Sequence, residues 1–328
     1  MSSETVAGFT VPPMNSKQRY KELCEEEKTI PIFSKDWWLD ATAGEDNWDV
    51  VIVEENGRVV TTFPYSSGKK YLFRLITMPP LTQKLGPWIK YPKGLTHYDR
   101  LNFEKKVMTQ IIDRLPEFDW FLQSFDYAIT NWLPFCWRGF SQTTRYTYVI
   151  EDLTDLDSVL RDFEYSKRKN IKRAEKIVEV KSDLAAGDFY ENHKMTLAKE
   201  GKKIAYSYDA FKRIYEACYN HDSGKTIYCV DKAGNLHSAL FVIWDENSAY
   251  DLISTIDPDF RNSGSASLLI KQIIKFLSDR TKNFDFEGSM IESVEQSFRR
   301  FGAVQKQYHQ ISKINSKLLR LYKFLKGF

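Results

Sequence analysis

The sequence Ile253-Ser-Thr-Ile-Asp-Pro-Asp-Phe-Arg-Asn-Ser-Gly-Ser-Ala-Ser-Leu-Leu269 combines a strand, a short polar loop and the first turn of a helix. We predict that the strand ends near Pro258 and that the helix begins near Ser263. Further along, apolar residues recur at the spacing of one helical face, which predicts a helix packed on a sheet. These residues are Ala266, Leu269, Ile270, Ile273, Ile274 and Leu277.

The beginning of this helix predicts a binding site for an anion. Its first amide groups have no partner within the helix, and the helix dipole adds partial positive charge there. The small residues from Ser263 to Ala266 are expected to leave the amides open to solvent beside Gly264, where Arg261 can add charged hydrogen bonds. The loop lacks both the Lys-Ser/Thr of a P-loop and the glycines of a dinucleotide fingerprint. A capped helix after a turn would use the same residues.

Composition excludes several classes of protein. The 328 residues are 42% hydrophobic and 15% aromatic, which suffices for a large core, and the length favours two domains. No apolar run approaches the roughly 20 residues of a membrane-spanning helix. Residues 1–14 are polar and lack the order of a secretory signal, so we expect a cytoplasmic protein. The scattered cysteines and histidines predict reduced thiols and no metal site.

The net charge is only +3, but the basic residues are unevenly distributed. Residues 296–328 contain eight basic residues and no acidic one, and a second basic run covers residues 167–173. Such runs favour a polyanionic partner, namely a nucleotide-type ligand, RNA or a lipid surface, although solvated helix faces explain them too. The last predicted helix, residues 316–325, has an apolar side that suits either a lipid surface or packing on a domain. That side comprises Leu318, Leu321, Tyr322, Leu325 and the nearby Phe328.

Two halves of the chain show the same order of predicted elements. A hairpin at residues 49–63 turns at Asn56-Gly57, and a second hairpin covers residues 226–244. In each half a strand, a helix and further strands follow the hairpin. The fold class predicted is α/β (α+β), with two related domains, each a mixed and mostly antiparallel sheet flanked by helices. The predicted boundaries are an N-terminal segment 1–36, a first domain 37–152 and a second domain 153–328.

The loop also resembles a motif of a known superfamily. The run Arg261-Asn262-Ser263-Gly264-Ser265-Ala266 is similar to the R/Q-x-x-G-x-G/A loop of GNAT acyltransferases, with Ala266 in place of the last glycine. The resemblance implies that these six residues hold the pyrophosphate of coenzyme A. Residues 170–176, 284–290 and 298–303 resemble segments of the two-domain, Fem-type nonribosomal peptidyltransferases. Residues 79–83 and 131–135 resemble segments of bacterial sugar N-acyltransferases related to them.

This resemblance implies an N-acyltransferase. The expected reaction moves an acyl group from acyl-CoA, or from an acyl carrier protein, to the amine of a nucleotide-linked amino sugar for surface polysaccharide synthesis. The alternative is a Fem-like transferase that takes its acyl group from aminoacyl-tRNA and acts on a peptidoglycan precursor. The first reaction needs small-molecule substrates and no nucleic acid, with at most peripheral membrane contact. A third alternative is a non-enzymatic binding module anchored by the last helix.

Candidate catalytic and acceptor-binding residues lie outside the loop. Glu287 is the predicted general base because it ends the strand after the loop helix, at the edge of the sheet where ligands bind. It could instead cap the next helix or pair with Arg299 or Arg300. The predicted acceptor-binding residues are polar or aromatic groups in loops and strands, most of which core packing would also explain. They are Gln83, Asn131, Trp132, Tyr146 and Glu292.

Overall fold

The computed structural model describes residues 15–288 and 290–325. Within them, twelve strands form a single sheet and eleven α-helices cover its faces, with three short 3₁₀ turns at Ile32–Ser34, Glu45–Asn47 and Pro258–Ser263. The strands are β1 (Trp48–Glu55), β2 (Arg58–Lys70), β3 (Phe73–Thr77), β4 (Trp88–Ile89), β5 (Trp120–Ser124), β6 (Ser141–Ile150), β7 (Glu179–Ser182), β8 (Gly224–Val230), β9 (Leu236–Trp244), β10 (Ser248–Ile256), β11 (Asn283–Asp285) and β12 (Val304–Ile314). The helices are α1 (Ser16–Glu26), α2 (Asp36–Thr42), α3 (His97–Arg114), α4 (Leu133–Trp137), α5 (Leu156–Asp162), α6 (Tyr165–Ala174), α7 (Ala186–Lys199), α8 (Tyr208–Asn220), α9 (Ser265–Leu277), α10 (Glu292–Arg299) and α11 (Lys317–Leu325).

The sheet is mixed and mostly antiparallel, so the predicted fold class is confirmed. Its strand order is β1-β2-β3-β5-β12-β6-β11-β10-β9-β8-β7, and β4 pairs with β2 at the side. Among the twelve strands of the described residues, the pairs β3–β5 and β10–β11 are the parallel ones. Strand β12, from the end of the chain, lies between β5 and β6 of the first half. The strands of the two halves therefore belong to one sheet, and the domain boundaries at 36 and 152 stay predictions.

Both predicted hairpins are present. Residues Glu55 and Arg58 pair across the first turn, and Asn56 and Gly57 have positive φ values of 51° and 74°. Positive φ at both central residues gives the tight turn that matches the twist of the strands. The second hairpin joins β8 and β9, which pair antiparallel.

Helices pack on both faces of the second half. On one face α5, α6 and α9 bury their apolar sides against β8, β9 and β10, and the predicted stripe of α9 is buried from Leu269 to Leu277. On the other face α7 and α8 cover the same strands. In the first half, α3 packs on β1 and β2 around a cluster of phenylalanines that includes Phe63, Phe121 and Phe125. The site described below lies where these two halves meet.

The segment predicted to precede the domains is part of both halves. Residues 1–14 lie outside the described residues, but α1 packs on β1, and α2 packs on α8 of the second half. The buried Trp38 donates its ring N–H to the Thr82 hydroxyl at 3.0 Å, and the Phe33 ring lies 4.7 Å from that of Tyr250. Trp38, which follows this segment in α2, thus holds the Pro-Pro loop, which carries Thr82, near the second half, because α2 packs on α8.

No helix among the described residues has the length and apolarity needed to cross a bilayer. Helix α3 begins at His97, where the Thr96 hydroxyl accepts the Asp99 N–H and caps the helix. One strand, predicted to end at Glu287, differs from its predicted bounds. Strand β11 ends at Asp285, because the chain turns toward β6 with a positive φ of 56° at Glu287.

Candidate functional site

A gap opens in the sheet where β10 and β11 separate. The two strands pair only over residues 248–250 and 283–285. Beyond that point β10 continues to Ile256, whereas the Phe286 N–H donates to the Tyr148 carbonyl of β6 at 2.9 Å. Asp251 follows the last paired residue of β10, and Glu287 follows β11. Two carboxylates therefore stand at the beginning of the gap.

The loop before α9 is covered by α6. Gly264 adopts a left-handed conformation with φ of 84°, and a Cβ there would overlap the Asn170 carbonyl of α6. The Ser265 N–H donates to the Ser263 hydroxyl at 3.2 Å, and both serines are buried. The prediction that these amides face solvent beside Gly264 is therefore wrong. Glycine is required here because two backbones approach closely.

The six residues of the predicted phosphate loop fall into three environments. Arg261 and Asn262 are exposed, and the Arg261 guanidinium forms an ion pair with Glu200. Ser263, Gly264 and Ser265 are buried beneath α6. Ala266 is half-buried and lines a crevice between α9, α10 and β10. An anion can reach this loop from the side of Arg261 and Asn262, whereas α6 blocks the face of Gly264.

The crevice holds a cavity of about 80 Å³ with mainly apolar walls from β9, β10, α9 and α10. Lys167 of α6 is its cationic group, and its ammonium donates to the Ser297 hydroxyl at 2.7 Å and lies 4.2 Å from the centre of the Phe301 ring. Burial, aided by the charge of Arg300, lowers the pKa of Lys167 to about 8. The basic run at residues 167–173 was the only sequence signal for this side chain.

Glu287 is buried, with 8% of its surface exposed, and its Oε1 has no hydrogen-bond partner. Burial raises the pKa of its carboxyl well above the usual value, the charge of Asp285 raises it further, and Lys84 opposes both. Within the part of the chain that the structure describes, Glu287 does not cap α10 and pairs with neither Arg299 nor Arg300, and Arg299 pairs with Glu295 instead. A buried carboxyl with an unused oxygen is a suitable proton acceptor.

A buried ion pair lies beside the turn that carries Glu287. Lys84, in the Pro-Pro loop, contacts Asp285, and the side chains are 3% and 0% exposed. The Thr147 hydroxyl and the Glu287 N–H also donate to Asp285, the latter at 2.8 Å. Burial by itself lowers the pKa of Lys84, but Asp285 and Asp126 outweigh it and raise the pKa. This pair fixes the turn that carries Glu287.

Asp251 is a second buried carboxyl, and sequence reasoning missed it. Only 7% of its surface is exposed, and the Ser254 hydroxyl lies 2.7 and 2.9 Å from its two oxygens. Burial raises the pKa of Asp251 from 3.8 to about 7. Its side chain lines the apolar crevice, and its charge contributes to the raised pKa of Glu287. The signal available was a carboxylate within an otherwise apolar strand.

A polar pocket of about 440 Å³ lies at Gly288, next to Glu287. Predicted acceptor-binding residues Gln83 and Tyr146 both line it, so the structure brings these two together beside the predicted base. The remaining lining comes from the Pro-Pro loop after β3, from β5, β6 and β12, and from the loop before α10. These residues are Met78, Thr82, Ser124, Arg145, Met290, Ile291, Tyr308 and Gln310.

Arg145 is the cation of this pocket and was not predicted. One of its terminal nitrogens donates to Gln310 Oε1 at 3.2 Å, whereas its buried Nε has no hydrogen-bond partner. Within residues 15–288 and 290–325, no carboxylate pairs with it. In the sequence Arg145 sits in an alternating strand, where it looks like an ordinary solvent-facing residue. An arginine that lines a polar pocket and has no carboxylate partner is suited to a phosphate or a carboxylate of a ligand.

Three other predicted acceptor-binding residues lie outside the lining of this pocket. Asn131 donates its amide to Glu104 at 2.9 Å. The Trp132 ring is half-buried and packs on the core of the first half. Glu292 is exposed at the beginning of α10 and accepts a hydrogen bond from the Gln296 amide at 3.4 Å. The structure therefore does not bring these three residues together with Gln83 and Tyr146.

Residues 158–289 match a family model described as an acetyltransferase (GNAT) domain. This range includes the loop, α9, Asp251 and Glu287. No curated protein matches the chain. The match establishes a GNAT acetyltransferase domain in the second half, and the chain is an acyltransferase.

Several solved structures share the whole fold at low sequence identity. FemX is 11% identical, and the likeness covers 90% of this chain and 96% of FemX with a TM-score of 0.68. A conserved protein of unknown function from Bacteroides thetaiotaomicron is 10% identical, with 90% and 97% covered and a TM-score of 0.56. L-PGS from Bacillus licheniformis is 9% identical, with 92% and 94% covered and a TM-score of 0.55. These likenesses extend well beyond the GNAT domain into the first half.

Proposed function

We propose that this acyltransferase moves an acyl group from a thioester of coenzyme A, or of an acyl carrier protein, to the amine of a nucleotide-linked amino sugar. One observation carries the proposal. Glu287 stands between two spaces, because Asp251, whose charge acts on Glu287, lines the crevice, and Gly288, its neighbour in the chain, lines the polar pocket. A donor on one side and an acceptor on the other would meet at the Glu287 carboxyl.

The donor fits the crevice side. A cavity of about 80 Å³ with apolar walls can hold an acyl chain or a narrow thioester arm, but is too small for a nucleotide. The phosphates of a donor would therefore lie outside, near Arg261 and Asn262, with Lys167 at the crevice wall. The remaining predicted loop residues, Ser263 to Ala266, would then shape the beginning of α9 rather than receive the phosphate directly. The thioester supplies the activated carbonyl.

The acceptor fits the polar pocket. Arg145 supplies a cation for the diphosphate that links sugar and nucleoside, and Gln83 and Tyr146 supply groups for hydroxyls. The amine nitrogen forms a bond with the acyl carbon, the carbon–sulfur bond breaks, and the leaving sulfur departs as a thiol. Glu287 accepts the proton that the amine loses and returns it to the sulfur. Positioning in the two spaces supplies the remaining catalysis.

The experiment incubates the protein with a panel of acyl-CoA esters and amino-sugar nucleotides and identifies the acylated product by mass spectrometry. E287Q should lower kcat by about 100-fold or more, the usual contribution of a general base. E292Q, in an exposed carboxylate outside the pocket, is the matched control and should retain activity. R145M should raise KM for the acceptor with little change in kcat. Product formation by E287Q at the wild-type rate would contradict the role of Glu287, and no product from any pair would contradict the substrate class.

A second candidate, the transfer of an aminoacyl group from tRNA to a peptidoglycan precursor, is favoured by one observation. Helix α6 presents an exposed basic face directly beside the beginning of α9. RNA binding by such a face should weaken steeply with salt, with a slope that K169E/K172E reduces. Retention of full tRNA affinity at high salt, or no shift of tRNA at low salt, would exclude this candidate. The exposed basic residues of this helix and its end are Arg168, Lys169, Lys172, Arg173 and Lys176.

A further inference from the structure

Three exposed parts of the chain meet at one end of the sheet, away from the polar pocket. The turn between β2 and β3 is closed by the pair Lys70 and Phe73. Leu75 of β3 pairs with Trp120 at the beginning of β5, and Trp120 pairs with Ile314 at the end of β12. The β2–β3 turn, the end of β12 and the following α11 therefore lie at the same end. The pocket residues Met78 and Ser124 stand at the other ends of β3 and β5.

Helix α11 leaves its apolar side uncovered. Leu318, Leu321, Tyr322 and Leu325 follow the spacing of one helical face and are 64%, 55%, 56% and 74% exposed. Among the side chains of α11 that the structure describes, Leu319 alone is buried, and it attaches the helix to the protein. The sequence left two alternatives for this side, and packing on a domain is not what the structure shows. Phe328, predicted to extend the same side, lies outside the described residues.

The β2–β3 turn has the same character. Tyr71 and Leu72 are 86% and 92% exposed, and the preceding Lys69 and Lys70 are exposed as well. Exposed aromatic and aliphatic groups beside lysines are unusual on a soluble surface and typical of residues that enter a membrane interface. Two separate elements of one end of the sheet thus present apolar side chains flanked by cations.

A cationic pocket of about 340 Å³ adjoins α11, between β6 and the end of β12. Lys313 and Arg320 line it together with the hydroxyls of Ser141 and Ser312. The two cations donate to backbone carbonyls, Lys313 to Arg138 and Arg320 to Ile314, each at 2.7 Å. Among the described residues neither has a carboxylate partner. Their charges are therefore available to an external anion.

The charge of this end of the sheet is positive. Besides Lys313 and Arg320 it carries Lys69, Lys70 and Lys317, none of which has an acidic partner in the described part of the chain. The nearby carboxylates Glu117 and Asp119 are both engaged by Arg74. The apolar stripe and the basic residues together match an anionic surface with an apolar interior, which describes a bilayer better than a folded partner protein.

We propose that this end of the sheet docks on a membrane that contains anionic phospholipid. Helix α11 lies in the plane of the interface with its apolar side inserted, Tyr71 and Leu72 insert beside it, and the cationic pocket receives a lipid phosphate. This binding goes beyond the proposed reaction and requires no catalysis. It would hold the enzyme at a bilayer surface while the polar pocket, at the far end of β5, remains open.

The test is flotation of the full chain with vesicles of phosphatidylcholine alone and with phosphatidylglycerol added. We expect binding only to the anionic vesicles, weakened by salt. K313Q/R320Q should weaken binding by about 30-fold, since each cation near an anionic surface contributes about one kcal/mol. L321S/L325S should abolish flotation, whereas I177S, at an exposed isoleucine elsewhere, should behave like the wild type. Lys313 is half-buried and the other substituted positions are exposed, so the variants should fold, which their unfolding curves will check.

Three results would overturn the proposal. They are equal flotation with both kinds of vesicle, no flotation at low salt, and full flotation of L321S/L325S. A second copy of the chain is the other possible occupant of the apolar side. A concentration-dependent dimer in analytical ultracentrifugation that L321S/L325S abolishes would assign the side to self-association instead. Acyl transfer measured without vesicles is independent of all these outcomes.

Discussion

Replacing Asp251 by asparagine tests the energetic cost of the buried carboxyl in the crevice. The substitution keeps the shape of the side chain, and the Ser254 hydroxyl can still donate to the remaining oxygen. It removes the ionisation. In the wild type, burial raises the pKa of Asp251 from 3.8 to about 7, so the folded protein retains a proton that the unfolded chain loses between those pH values.

The sign and the size of the effect follow from this difference. Below pH 3.8 both states are protonated, and Asp251 has no effect on stability. As the pH rises toward 7, the unfolded state is favoured by about 1.4 kcal/mol for each pH unit, which amounts to about 4 kcal/mol above pH 7. D251N has no carboxyl at this position, so its stability does not fall in this way as the pH rises. The variant should therefore match the wild type near pH 4 and exceed its stability by up to about 4 kcal/mol at pH 8.

Urea unfolding at a series of pH values, followed by fluorescence and circular dichroism, measures the difference. A D251N midpoint that exceeds that of the wild type at pH 8, with the gain shrinking as the pH falls to 4, is the expected result. D259N, at a largely exposed aspartate of the loop, is the matched control and should show no such gain. If D251N is as stable as or less stable than the wild type at pH 8, then Asp251 is ionised without cost and our account of the crevice is wrong.

Three further predictions concern the neighbouring groups. The wild-type rate should increase with pH through a pKa well above that of an ordinary glutamate, because burial raises the pKa of Glu287 and the base must be ionised; a pH–rate profile of kcat/KM measures it. K84M should lower the free energy of unfolding by about 3–5 kcal/mol, since Asp285 stays buried without its cation, and K84M/D285N should recover part of that loss in chemical denaturation. G264A should lower the melting temperature more than G234A does, because both glycines have positive φ but only Gly264 touches another backbone; equal shifts would mean that α6 can move aside.

Much of the fold can be predicted from local patterns. The dipeptide Asn56-Gly57 specifies its turn through positive φ, and the apolar spacing after Ala266 specifies α9. Glu287 is identifiable because it follows a strand next to a loop with a known resemblance. Each of these patterns extends over a few residues, so it can be interpreted without knowledge of the rest of the chain.

The parts that could not be predicted depend on contacts between distant segments. Asn170 of α6 covers Gly264, and Lys84 reaches Asp285 from the other half of the molecule. Arg145 is open to a ligand anion because no carboxylate of the described residues pairs with it. This property depends on the folded structure and cannot be read from the local sequence. No residue pattern within one segment contains information about such contacts. The sequence therefore predicted a solvent-exposed loop at residues 261–266, and it identified Gln83 and Tyr146 of the polar pocket but not Arg145.

The position of β12 has a consequence for how the protein is made. The strand that separates β5 from β6 in the centre of the sheet is synthesised after both, and after every strand of the second half. A nascent chain on the ribosome therefore holds β5 and β6 with an empty place between them until β12 emerges. The first half therefore cannot complete its sheet before the second half has been synthesised. A chain truncated before β12 would be degraded by proteases rather than fold into a smaller enzyme.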